Sequence, residues 1–295
     1  MARGWENTER IKERGGVASP ADDNSGTASK NEKNVMLKDA KQSTDRRSTN
    51  ISTECSRKFM LDAVSRALKK AGEDNDNMLI FVDEVNDPGK VLTKRKKKSA
   101  TKTFGYGVAM VKDTDQGSFK TISESWKTLK GIDGEFKLRD IKDVEDKVLI
   151  AECIGLTETK TFGYYIDKTE DVPEGFEDQG GTDVMIGMLH KMLDMVISDA
   201  RSENVTVVVD DHSSYHDGEA DSVRALSKLL STDHNRNVSI RTGGKKNDEY
   251  SLHLQTTDAV SHALHRKVEF GYSDMADAMK QIIIKLDKGY NIRRR

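Results

Sequence analysis

Residues 77–89 read NMLIFVDEVNDPG. Met78 to Val82 is a short apolar run of β-forming residues, and Asp83 and Glu84 close it, so the stretch reads as a buried strand ending in a pair of carboxylates. Adjacent strand residues face opposite sides, which separates the two acids: Asp83 on one face, Glu84 on the other. A second stretch, NVTVVVDDHSSYHDG (204–218), repeats the pattern. Val205 to Val209 is almost wholly apolar, as in a strand covered on both faces inside an α/β sheet, and it ends in Asp210 and Asp211.

Working outward, TFGYGVAMVKD (103–113) reads as a strand paired with the first through a long basic connection. SFKTISESWKTL (118–129) reads as a third strand running into a polar segment, and KVLIAECIGL (147–156) as a helix or a buried strand, which periodicity does not separate. TKTFGYYIDKT (159–169) is a further strand. After the turn-rich EDVPEGFEDQGG (170–181) comes a helix, TDVMIGMLHKMLDMVISDAR (182–201), capped by Thr182 or Asp183, whose stripe of Met185, Met188, Met192 and Met195 suits core packing. A helix (218–233), a short strand NVSIRTG (237–243), a helix around LHLQTTDAVSHALHRK (252–267) and a final amphipathic helix around DMADAMKQIIIKLDK (274–288) complete the chain.

The chain has 295 residues, of which 35% are hydrophobic, enough for a core if the polar residues are concentrated elsewhere. They crowd into residues 1–55, rich in Ser, Thr, Asn, Asp, Lys and Gly, which reads as a disordered polar tail suited at most to recruiting a protein partner. SRKFMLDAVSRALKKA (56–71) then spaces Phe59, Met60, Ala63, Val64, Ala67 and Leu68 as an amphipathic helix, followed by a linker to residue 76 and a domain over 77–295. A net charge of -2 gives no support to general nucleic-acid binding, so local charge has to carry any such reading. Cys55 and Cys153 make neither a disulfide framework nor a zinc signature. No apolar run approaches the roughly 18 to 20 residues that span a bilayer, and the N-terminus lacks a secretory core, so a cytoplasmic protein without a membrane segment is expected.

A single acid after a strand commonly caps the next element. The set is less ordinary: Asp83, Asp210, and Asp258 inside the apolar pattern Leu252, Leu254, Ala259, Val260, Ala263, Leu264. An acid beside a buried stripe is costly unless paired or bound to a cation. Strand-borne acids joined by one from a late helix are what a magnesium-dependent phosphodiester hydrolase needs, because hard divalent ions take oxygen ligands and stabilise the attacking and leaving oxygens.

The motifs FVDEVND (81–87), TFGYGVAMV (103–111), GEFKLRD (134–140), YYIDK (164–168), VTVVVDD (205–211) and LQTTDAVSHALHR (254–266), in that order, resemble the domain-of-unknown-function family 3800 of prokaryotes and phages. The resemblance covers residues 78 to about 267. It implies a ribonuclease H-like fold, a mixed sheet flanked by helices, and Asp83, Asp210 and Asp258 as ligands of one or two Mg2+ or Mn2+ ions. Glu135 is the implied fourth acid of a nuclease site, on one face with Lys137 if the segment is extended. An exposed acid in a charged loop is the plain alternative. Glu84 and Asp211 are reserves, and Asp167 is a strand-end acid. The family's first motif carries Ser-Gly where this chain has Val85-Asn86, and its closing motif carries alanine before the aspartate where this chain has Thr257.

Lys94, Arg95, Lys96, Lys97 and Lys98 form a basic loop suited, with Lys137, to a nucleic-acid backbone, or else a solvated loop; Arg293, Arg294 and Arg295 form a smaller patch or a frayed end. His212 and His216 lie four apart in loop-like sequence, and His262 follows Asp258 by one helical turn, placed to hydrogen-bond it or to be an ordinary packed histidine. Gly180-Gly181 and Gly243-Gly244 form no phosphate loop. The expected activity is metal-dependent cleavage of nucleic acid, against the alternative of a non-catalytic nucleic-acid- or protein-binding module on the same fold.

Overall fold

The computed structural model describes residues 53–70, 76–86, 101–168, 181–210, 220–243 and 248–286. The polar tail up to residue 52, the basic loop Lys94–Lys98, Asp211, His212, His216 and the C-terminal arginines lie outside the described residues. Asn50–Arg295 is one compact unit.

Strands β1 (Asn77–Val85), β2 (Thr103–Lys112), β3 (Lys160–Asp167), β4 (Asn204–Asp210), β5 (Asn237–Gly243) and β6 (Ile282–Lys285) form a six-stranded sheet in the order β5-β4-β1-β2-β3-β6. β1, β2 and β3 are an antiparallel meander, while β4 runs parallel to β1, β5 parallel to β4, and β6 parallel to β3. An antiparallel meander extended by parallel strands beyond its first member is the ribonuclease H-like mixed sheet. Among the described residues seven α-helices flank it: α1 (Thr53–Leu68), α2 (Gln116–Lys130), α3 (Val144–Leu156), α4 (Gly181–Asp199), α5 (Ala220–His234), α6 (Ser251–Phe270) and α7 (Asp274–Ala278).

The alternation of β1 sorts its side chains between two cores. Met78, Ile80 and Val82 join Val205, Val207 and Val209 under α4 and α5, where Met185, Met188 and Met192 are buried and Met195 packs at the margin. Leu79 and Phe81 join Val208 under α1, α2, α3 and α6. α1 docks Met60 and Val64 into that second core, and Arg57 pairs with Glu152 of α3 at 2.6 Å.

Three sequence expectations are revised and one open choice is decided. Residues 118–129 are helix α2, not a strand: Phe119, Ile122 and Trp126 recur at helical spacing on one buried face, and Gly131 ends the helix in the left-handed region (φ 64°). Of the two readings of 147–156 the helix holds, with Asp143 capping α3 by accepting from Glu145 N at 2.9 Å. The final helix stops at Ala278, Lys280 turns the backbone to φ 55°, and the β-branched run Ile282–Ile284 pairs with β3 as an edge strand. α1 begins at Thr53, inside the stretch read as tail.

One row across the sheet positions everything that follows. Asp83 pairs with Gly107 of β2, and Gly107 with Gly163 of β3. A Cβ on Gly107 would lie 2.5 Å from Ser261 N and 2.6 Å from Ser261 Cα, and one on Gly163 would lie 2.8 Å from Leu264 Cδ1. The missing side chains form a trough into which α6 settles, with Ser261 Oγ donating to the Asp83 carbonyl at 3.1 Å.

Candidate active site

β1 and β4 are in register from Asn77 beside Asn204 to Val82 beside Val209, and the next step sets Asp83 beside Asp210. Phe81 and Val208, two residues earlier, both face the α6 side, so Asp83 and Asp210 face it too. Glu84 follows Ile80 and Val82 toward the opposite core. The two aspartates therefore stand together at the carboxyl ends of parallel strands, where ligands of α/β sheets commonly bind.

Asp258 reaches them from α6. Its carboxylate accepts from Leu138 N at 2.5 Å, and Gln255 Oε1 accepts from Phe136 N at 3.5 Å, so residues 136–138 are strapped along the helix. The strap brings its own charges, and the resulting cleft is lined by Glu135, Phe136, Lys137, Asp210, Ser251, Leu254, Gln255 and Asp258. Glu135 sits on its rim as a largely exposed acid, 3.7 Å from Lys137 Nζ, in a segment that belongs to no strand.

The electrostatics follow from crowding. Burial, then repulsion from Asp258, Glu84 and Asp210, push the Asp83 carboxyl well above its ordinary value, while a hydrogen bond from Ser261 opposes the rise. Burial raises Asp258 as well, against the Leu138 N–H and the cations Lys137 and Arg139, with Asp210 adding to the rise. Asp83 and Asp258 are thus both made costly to ionise by burial and by neighbouring carboxylates, a condition that a divalent cation relieves.

In donor chemistry the residues fit Mg2+ or Mn2+: hard carboxylate oxygens, close enough to repel, from two strands and a helix. Among the described residues, however, no three His, Cys, Asp or Glu side chains are gathered as a group able to hold a metal ion.

Other sequence candidates fall elsewhere. His262 does not meet Asp258; its Nε2 lies 3.3 Å from Lys147 Nζ, because α6 presents that turn to α3. Burial and then Lys147 press His262 down to about 4, so it is neutral at pH 7. His253 stacks on Phe81 at 4.9 Å and 11° and is a core histidine. Asp167 ends β3, on the far side of β2 from β1. Asn86, where the family motif has glycine, takes the left-handed conformation (φ 66°) and donates to Thr103 O and Thr103 Oγ1, each at 3.2 Å. Thr257 is fully buried and donates back to His253 O at 2.9 Å.

Sequence reasoning passed over Gln255, Arg139, Ser261 and Lys147. Ser261 lies one turn beyond Asp258 and was open to the same helical argument. Lys147 is buried on α3 with its pKa lowered by burial and by Arg266, with Asp258 pulling the other way.

No family model matches the chain, and no curated protein matches it by sequence. A solved structure described as the PCNA:RNase HII complex from Archaeoglobus fulgidus is 12% identical, with 66% of this chain and 75% of that chain covered at a TM-score of 0.37. At that score the fold rests on the strand order and the site on its own geometry. No helix among the described residues is long and apolar enough to cross a membrane.

Proposed function

We propose that the chain is a divalent-metal-dependent nuclease that hydrolyses phosphodiester bonds in nucleic acid. The observation that carries this reading is that Asp210 and Asp258 line one cleft at the carboxyl end of β4, with Asp83 beside Asp210 in register and near enough to both for their charge to raise its pKa. These three would hold one or two Mg2+ or Mn2+ ions, which when bound supply Lewis acidity and a deprotonated water. Lys137 and Arg139 give the cleft a positive rim that attracts a phosphate, and Glu135 anchors Lys137 there. The basic run Lys94–Lys98, between β1 and β2 in the sequence and outside the described residues, supplies further positive charge suited to a nucleic-acid backbone. The resemblance to family 3800 supports the same assignment of acids. In this reading the protein acts in the cytoplasm, and the polar sequence before residue 53 is suited to recruiting a protein partner.

The second reading, a binding module without catalysis, is favoured by the absence of a gathered metal-holding group among the described residues. Cleavage of single-stranded, duplex and hybrid substrates in Mg2+ and Mn2+ separates the two. Asp83→Asn and Asp210→Asn should each lose more than the roughly hundredfold that removing an outer partner costs a metal site. A parent chain that binds nucleic acid, cuts none of the three substrates and is not stabilised by either ion would establish the binding module.

A further inference from the structure

We propose that Phe270 and Tyr272 form a stacking platform for unpaired bases of the strand engaged at the acid cleft, which directs the protein to single-stranded or frayed nucleic acid. The proposal rests on the nucleic-acid reading above and names the substrate class that reading leaves open.

Phe270 and Tyr272 are the most exposed large apolar side chains among the described residues, at 62% and 58%. The chain builds them into a fixed pair. Gly271 ends α6 at φ 77°, its N–H donating to Lys267 O at 3.1 Å and Tyr272 N to Arg266 O at 3.2 Å, so the two rings emerge side by side. Their centroids are 6.3 Å apart with planes tilted by 33°. His265 meets Phe270 edge-on at 5.3 Å, and the Arg266 guanidinium lies 5.1 Å from the centre of Tyr272. Arg266 is itself held by Asp274 at 2.8 Å. Two aromatic rings supported from within and open to solvent are what a base requires for stacking, and every base offers a π-face.

The pair is also on the correct edge of the sheet. Glu269, the neighbouring residue, accepts from Thr103 N at 2.9 Å and from Asn86 Nδ2 at 3.4 Å. Thr103 opens β2 and Asn86 follows β1, and because those strands are antiparallel this is the edge at which Asp83 and Asp210 stand. At about 1.5 Å per residue, α6 carries Phe270 about 18 Å beyond Asp258. That is about five nucleotides at a stacked spacing of roughly 3.4 Å. Bases inside a duplex already stack on their neighbours and cannot use such a platform without melting.

The test is fluorescence anisotropy of the whole chain without divalent metal, using labelled single-stranded and duplex oligonucleotides of one length. Phe270→Ala and Tyr272→Ala should each weaken single-strand binding about tenfold. They should leave duplex binding and the melting temperature unchanged, and Tyr272→Phe should restore binding. Equal loss on both oligonucleotides, or no loss on either, overturns the platform. So does a shift from dimer to monomer in the alanine variants, which would make the rings a contact between copies. If the parent cuts nucleic acid through Asp83 while the ring variants bind as the parent does, the platform alone fails; if the parent binds no nucleic acid, platform and nuclease reading fail together.

Discussion

Asp83 is a carboxyl that the fold makes reluctant to ionise, and this has a measurable sign. Its folded pKa lies above the unfolded value, as does that of Asp258. Between those values the native chain retains protons that the unfolded chain has released, so the contribution to stability falls as pH rises through the window and stays low above it. Asp83→Asn should therefore melt at a higher temperature than the parent at pH 7 and converge with it in acid. Added Mg2+ should stabilise the parent, by about 2.7 kcal/mol at a hundred times Kd, and should do so far less in the variant. His253 and His262 act in the other direction: each is pressed from 6.5 to about 4, burial being the main cause. The unfolded chain takes up those protons first, so their contribution is present above about pH 6.5 and is lost as pH falls toward 4. Melting curves of Asp83→Asn from pH 7 to 4 should display that loss with one carboxylate effect removed, and a variant that gained stability in acid would refute the assignment.

Among the elements, α6 decides whether the site exists. It bears Asp258, Gln255 and Ser261, and it reaches Asp83 because Gly107 and Gly163 leave a trough for it. In Gly107→Ala the new methyl group meets Ser261 backbone atoms, which no rotamer change relieves, so the helix must lift. A loss of about 1–3 kcal/mol in urea unfolding is expected, together with loss of metal stabilisation; a variant with parental stability and parental metal response would show that the helix does not depend on the trough. The positions of Asp83 and Asp210 at strand ends were legible in the sequence because each closes an apolar run, and strands such as Val205–Val209 were legible as unbroken runs of β-branched residues. α2 was misread because Ser and Thr intervene among its few apolar residues, and β6 because three isoleucines follow a helical turn directly. Gln255, Lys147 and the Phe270–Tyr272 pair gain their places only from the crossing of α6 over the sheet, and that crossing depends on contacts that no local pattern encodes.

On the scale of the molecule, the sheet is closed on one face by α4 and α5 and on the other by α6 with α1, α2 and α3. α1 belongs to that second layer, with Met60 and Val64 fully buried. A chain beginning at Gly72 should be less stable than one beginning at Asn50 by several kcal/mol, since deleting even one such methionine side chain costs about 2–5 kcal/mol. Equal midpoints for the two truncations would remove α1 from the core.

The trough has a consequence in time as well as in space. Asp83 and Asp210 can stand side by side once β1 and β4 have paired, but Asp258 arrives only when α6 has been synthesised and has found Gly107 and Gly163, far behind it in sequence. Contacts so distant in sequence form late. A chain emerging from the ribosome therefore brings Asp83 and Asp210 together first, and completes the cleft that Asp258 lines only after the rest of the fold is in place.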